Sequence, residues 1–244
     1  MRNTLIRDTR SFALVGLVAA ADTATPAGAQ EQGAAPVLPP ASVLKAVFST
    51  TAGTISNVGT GFLLEVPGRG AVFVTALHVF GPPGGLAEWV PSADLPDVVE
   101  SATLADAFTG ASAGDVVAVV PTPTATLPTQ DGGEAGRDFA VFEIGDRGRA
   151  GLAPASAGAD ELWIVSPGLP DDVPLPVRRV EGAPQFLSVA IPDELSLPLG
   201  ISGSPIVTSD GAVAGLVVML GRGPRGERVI QATPVATVLE ALAG

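Results

Sequence analysis

Between Val43 and Thr233 the chain is a succession of short apolar runs, each closed by glycine, proline, aspartate, asparagine or serine. The runs cover 43–50, 61–66, 71–77, 116–120, 139–144, 162–165, 186–191, 205–207, 213–220 and 229–233. Runs this short, rich in β-branched and aromatic side chains, predict strands, because a helix needs a longer stretch with a 3.6-residue period. Only the segment Pro234 to Ala243 has that period, with proline at a first-turn position and Val235, Val238, Leu239 and Leu242 at helical spacing. From Gly81 to Asp115 the pattern weakens into proline, glycine, aspartate and serine, and a long loop region is expected there. The 30 glycines and 23 prolines are therefore punctuation between strands, since a chain that is 46% hydrophobic is far from the composition of disorder. About ten strands and one terminal helix predict an all-β barrel or sandwich rather than a βαβ architecture. A length of 244 residues allows one large domain or two small packed lobes.

The formal charge of −12, with Lys45 the only lysine, excludes a nucleic-acid backbone as partner, because phosphates are neutralised by clustered lysine and arginine. With no cysteine there is no disulfide and no thiolate nucleophile, and a single histidine rules out a histidine-rich metal site. The acidic stretch from Asp131 to Asp138 lacks the spaced carboxylates of a calcium loop and reads as a solvated turn. No cofactor and no metal are expected. At the N-terminus, Arg2, Arg7 and Arg10 precede an apolar stretch from Phe12 to Ala21 and the small-x-small site Ala27-Gly28-Ala29. That is the pattern of a secretory signal peptide over residues 1–29, too short in its apolar part for a stable membrane anchor. The mature form is thus expected without an integral membrane span, in a periplasmic or extracellular setting. Residues 30–42, rich in Ala, Pro, Gln and Gly, read as a flexible arm or pro-segment ahead of a domain over 43–244.

Candidates for chemistry are few. A serine hydroxyl is a poor nucleophile at neutral pH unless a base lies within hydrogen-bond reach and a third group orients that base. His78 is the only imidazole. The serine in Leu199-Gly200-Ile201-Ser202-Gly203-Ser204-Pro205 is bracketed by glycines that allow a tight turn aiming amide N–H groups inward. Asp138, opening the alternating run Asp-Phe-Ala-Val-Phe-Glu-Ile, is the acid placed next to apolar shielding. The chain order His, Asp, Ser excludes the order Ser, acid, His of the α/β-hydrolase plan, and the subtilisin order, aspartate before histidine before serine, fails because the only aspartates ahead of His78 are Asp8 and Asp22.

These residues resemble the motifs of the chymotrypsin/trypsin-like serine proteases. Thr75-Ala76-Leu77-His78 matches T-A-x-H, Asp138-Phe-Ala-Val is similar to the aspartate strand, and Gly200-Ile-Ser-Gly-Ser-Pro is similar to the nucleophile motif. Gly59-Thr-Gly-Phe resembles the strand before the histidine, and Gly215-Leu-Val-Val the strand beyond the serine, so the resemblance extends over roughly residues 43–240. It implies two antiparallel six-stranded β-barrels with a boundary near 145–160, a short C-terminal helix, and a cleft between the barrels holding a His78, Asp138, Ser202 triad. It also implies an oxyanion hole from the backbone N–H groups of Gly200 and Ser202, and a polypeptide substrate cleaved through an acyl-enzyme. Bacterial secreted members without a PDZ domain are the better match.

Three departures shape the expectation. Ile201 stands where trypsin and its relatives carry the aspartate that receives a freed N-terminal amine, so that activation switch is not available. Val218 stands where many relatives have a serine bonding the catalytic aspartate. Leu220 stands where trypsin has glycine, and with Val218, Met219 and an uncharged floor at Ser196 it implies a preference for small or medium apolar residues, although Asp193 and Glu194 lie near enough in sequence to favour a basic one. A catalytically silent binding module and an esterase with the same triad are the competing readings.

Overall fold

The computed structural model describes residues 33–127, 135–156 and 158–243, and within them the apolar runs pair into two closed antiparallel barrels. The first uses β1 (Val43–Thr50), β2 (Gly53–Ile55), β3 (Gly61–Val66), β4 (Gly70–Thr75), β5 (Val99–Asp106), β6 (Ser112–Val120) and β7 (Ala140–Ile144), with one helical turn, α1 (Leu95–Val98), before β5. Its six-stranded ring runs β1-β3-β4-β7-β6-β5 and closes where β5 pairs with β1, while β2 is a short hairpin partner of β1. The second barrel uses β8 (Glu161–Ile164), β9 (Leu175–Arg179), β10 (Leu187–Ala190), β11 (Pro205–Thr208), β12 (Val213–Arg222) and β13 (Arg228–Pro234), in the ring order β10-β13-β12-β11-β8-β9. The chain ends in α2 (Val235–Ala243), which buries Val235 and Val238. No helix among the described residues is long and apolar enough to cross a membrane. The signal-peptide region 1–29 and residues 131–134 of the acidic loop lie outside the described residues.

The expected long loop from Gly81 to Asp115 is corrected: β5 and the start of β6 occupy its second half. Their inward residues are small or sparse. In β5 only Ala102 and Leu104 are fully buried, and the alternating partners Ser101 and Thr103 face water, so the hydrophobic signal is half that of an ordinary strand. Strand β9 is hidden in the sequence by Pro176 and by two exposed arginines, Arg178 and Arg179.

Each barrel has its own interior. The first is filled by phenylalanine: the rings of Phe48 and Phe142 lie against each other and each against Phe73 and Phe80, with centroids 4.8 to 6.5 Å apart, and Phe62 and Phe139 are also buried. The second is aliphatic, built from Leu162, Ile164, Leu187, Val189, Ile206, Val217 and Ile230. The alternate residues on the same strands, Trp163, Val207, Leu216 and Val218, point the other way and join the core of the first barrel. A strand with period-two alternation can bury both faces only when something apolar covers each, and here the neighbouring barrel supplies the second cover.

Residues 33–42 form no regular element but lie against the body. Pro36 and Ser42 are buried, Leu38 packs on the core, and the Ser42 carbonyl accepts the Leu63 N–H at 2.8 Å.

Candidate active site

The antiparallel register of β4 and β7 closes the sixty residues between the histidine and the aspartate. Thr75 pairs with Ala140 and Val74 with Val141, so continuing the ladder beyond the strand ends sets residues 76–77 against 138–139, next to His78. There β4 turns into a single 3₁₀ turn, Leu77–Val79, whose outer residues are buried while the His78 side chain stays 12% exposed. The fully buried Asp138 carboxylate grips that turn twice. Oδ1 accepts the His78 backbone N–H at 2.9 Å, and Oδ2 lies 2.6 Å from Nδ1, which donates to it. In the neutral ring the second contact makes the remaining nitrogen, Nε2, the acceptor. Both contacts to the carboxylate come from His78; residue 218, the buried Val218, supplies none. The Thr233 hydroxyl of β13 lies 3.4 Å from the Asp138 carbonyl oxygen, tying the segment to the second barrel.

Ser202 sits in the turn between the second-barrel loop and β11. Gly200 and Gly203 have φ of 85° and 82°, the left-handed region that disfavours any side chain. A Cβ at Gly203 would also stand 2.0 Å from the Thr60 carbonyl oxygen and 3.1 Å from the Ala76 N, so the turn is pressed against the strand end that leads into His78. Gly59 bridges the same gap: a side chain there would meet Val79 at 2.9 Å and the Ser202 carbonyl oxygen at 3.4 Å. His78 and Ser202 therefore belong to touching segments. No hydrogen bond joins the Ser202 hydroxyl to the His78 ring in this structure.

The turn is held by four backbone contacts and one hydroxyl. Gly203 N–H donates to the Val217 carbonyl at 2.7 Å and Ser204 N–H to the Ile201 carbonyl at 3.0 Å; Thr60 N–H donates to the Ser202 carbonyl and Val217 N–H to the Ser204 carbonyl. The Thr60 hydroxyl donates to the Gly200 carbonyl at 2.8 Å. The N–H groups of Gly200 and Ser202 have no backbone acceptor among the described residues, whereas those of Gly203 and Ser204 do. The Ser204 hydroxyl, fully buried, donates to that of Ser166 at 2.8 Å. Ile201 packs on the aliphatic core of the second barrel, an apolar anchor at the position where an aspartate was the alternative.

The remaining sequence-predicted residues divide. Val218 is buried, Met219 partly buried and Leu220 half exposed along β12, beyond the stretch that pairs with β11. Ser196 is exposed, between the partly buried Leu195 and Leu197, a place at odds with the floor of a pocket. Asp193 lies 3.7 Å from Arg222, and its carbonyl accepts from Arg228, so it is tied to the β12–β13 hairpin. Thr60 and Thr75 belong to the matched motifs, but the carbonyls their hydroxyls hold are seen only in the fold; Leu199, next to Gly200, is fully exposed. No group of three or more His, Cys, Asp or Glu suited to a metal occurs among the described residues.

No protein-family model matches the chain, and no curated protein matches it. Solved structures do. The thermostable serine protease AL20 from an extremophilic microorganism is 12% identical with a TM-score of 0.52, covering 83% of this chain and 95% of that one. The serine endoprotease from Yersinia pestis is 13% identical with a TM-score of 0.50, covering 84% of this chain and 62% of that one. At this identity the likeness concerns the fold: the chain has the two-barrel fold of the chymotrypsin-like serine proteases.

Proposed function

We propose that the chain is a serine endopeptidase, exported by its N-terminal segment, that hydrolyses polypeptides through an acyl-enzyme with Ser202 as nucleophile, His78 as general base and Asp138 as its orienting acid. The observation that carries this reading is the buried Asp138 carboxylate bonded to Nδ1, which in the neutral ring makes Nε2 the acceptor, on a turn packed against the segment that bears Ser202. The reading requires Ser202 Oγ to meet Nε2 when substrate binds, because catalytic hydrogen bonds are often open before it arrives. The Oγ proton passes to Nε2 as Oγ bonds to the substrate carbonyl carbon. The carbonyl oxygen takes the negative charge, facing the N–H groups of Gly200 and Ser202. Collapse expels the amine, which takes the proton from Nε2, and water then repeats the sequence to free the acid. By the resemblance Leu220 stands at the mouth of the primary pocket, and its half-exposed side chain favours apolar residues at the cleaved position.

The test is a serine-directed phosphonate with mass mapping of the adduct, alongside hydrolysis of casein and of a peptide ester by wild type, Ser202→Ala and His78→Ala. An adduct on Ser202 and loss of both activities in both variants are expected. A folded wild type with no adduct and no hydrolysis overturns the reading and leaves a binding module; ester cleavage without casein cleavage makes it an esterase.

A further inference from the structure

The structure assigns to Thr60 the part of a positioning residue: its side-chain hydroxyl, reaching across from the first barrel, holds the Gly200 carbonyl so that the oxyanion donors stay aimed at the substrate. This inference rests on the catalytic reading above.

The argument starts from which peptide planes in the nucleophile turn are tied. The plane from Ile201 to Ser202 is fixed by the Ser204 N–H on the Ile201 carbonyl, and the plane from Ser202 to Gly203 by Thr60 N–H at one end and the Val217 carbonyl at the other. The plane from Gly200 to Ile201 has one tether, the Thr60 hydroxyl at 2.8 Å. The plane from Leu199 to Gly200, which carries one of the two donors, has no backbone tether among the described residues, and Leu199 is fully exposed. A glycine at φ of 85° lets such planes turn at little steric cost. Without the hydroxyl, Gly200 would be free on both sides, and a peptide rotation that carries its N–H out of the cleft would meet no resistance.

Thr60 is itself held rigidly. It is 1% exposed, and its own carbonyl accepts the hydroxyl of the buried Thr75 at 2.7 Å, three residues before His78. One chain of hydrogen bonds thus runs from the histidine strand through Thr75 and Thr60 to both ends of the Gly200–Ser202 segment. Preorganised donors stabilise a developing oxyanion because they need no reorganisation during reaction, and a buried side-chain hydrogen bond on the supporting loop is what keeps them so.

Thr60→Val removes the hydroxyl at nearly constant volume, and Thr60→Ser keeps it. The Val variant is expected to lose about tenfold in kcat with little change in KM, a fraction of the 10²–10³ seen when an oxyanion donor is removed outright. Its affinity for a peptidyl boronate, whose tetrahedral adduct places an oxygen in the donor pair, should fall by a similar factor. Peptide binding to the Ser202→Ala background should be unmoved by the same change. Thr60→Ser should restore most of the turnover. Should Thr60→Val fail to fold, Thr75→Val is the second variant, with a smaller loss of kcat at constant KM. Unchanged boronate affinity and kcat in a folded Thr60→Val or Thr75→Val, or a Ser variant as impaired as the Val one, overturns the inference while the catalytic reading stands. A wild type that neither hydrolyses peptides nor forms an adduct removes the catalytic reading first.

Discussion

The two barrels close as rings of six strands each and contribute to the candidate site in opposite ways. The first is packed with six buried phenylalanines and presents His78 and Asp138 from adjacent strand ends, where ladder register alone sets their separation. The second has an aliphatic interior with no phenylalanine and presents Ser202 from a glycine turn anchored by Ile201 below and by Thr60 from outside. A base and its orienting acid must keep one geometry, and stiff strands inside an aromatic core supply it. A nucleophile flanked by oxyanion donors needs inward N–H groups, which here a turn with positive φ offers, and a turn has to be tied from elsewhere.

Four experiments bear on that contrast. Asp138→Asn replaces an acceptor-only carboxylate by an amide that can present a donor to Nδ1, and kcat for peptide hydrolysis is expected to fall by on the order of 10⁴. A loss of less than tenfold would separate the His78–Asp138 pair from catalysis. Phe142→Ala opens a cavity among Phe48, Phe73 and Phe80, at a cost of about 3–5 kcal/mol in denaturant unfolding. The aliphatic barrel is expected to respond mildly to a conservative change: Ile230→Val, fully buried, should cost about 0.5–1.5 kcal/mol by the same measurement, and equal costs for the two variants would erase the difference between the cores.

The smallest effect is expected at the β5–β6 turn. Partial burial pushes the Asp106 carboxyl upward, but the N–H and hydroxyl of Thr109, with the N–H groups of Phe108 and Ala41, outweigh it and hold the group below its ordinary 3.8. A depressed carboxylate stabilises the fold above about pH 4 and loses that contribution as the pH drops through the lowered value. Asp106→Asn should therefore flatten the acid end of the stability curve slightly, as read from melting temperature between pH 5 and pH 2. A variant with an unchanged acid limb would show that the turn adds nothing.

Most of the strands are legible because their alternation is strong: β1 and β3 have the bounds that apolar periodicity predicts. Strands β2, β5 and β9 escape because they are short, small-residued or arginine-rich, and their place in the sheet comes from partners rather than from their own pattern. His78 and Asp138 stand out by residue type, and the fold brings their side chains to 2.6 Å. Thr60 falls within a matched motif, but its part does not show until its hydroxyl is seen against a carbonyl 140 residues away. The same limit explains Ser196, where counting back from Ser202 suggests a buried place and the loop turns the side chain outward.

Composition and periodicity by themselves determined an all-β chain with one closing helix, because burial alternates every second residue in a strand and that period is written locally. Which residues meet was decided by tertiary structure alone. The β4–β7 pairing joins positions more than sixty apart, and the energy of such contacts depends on distances in space that no local pattern encodes.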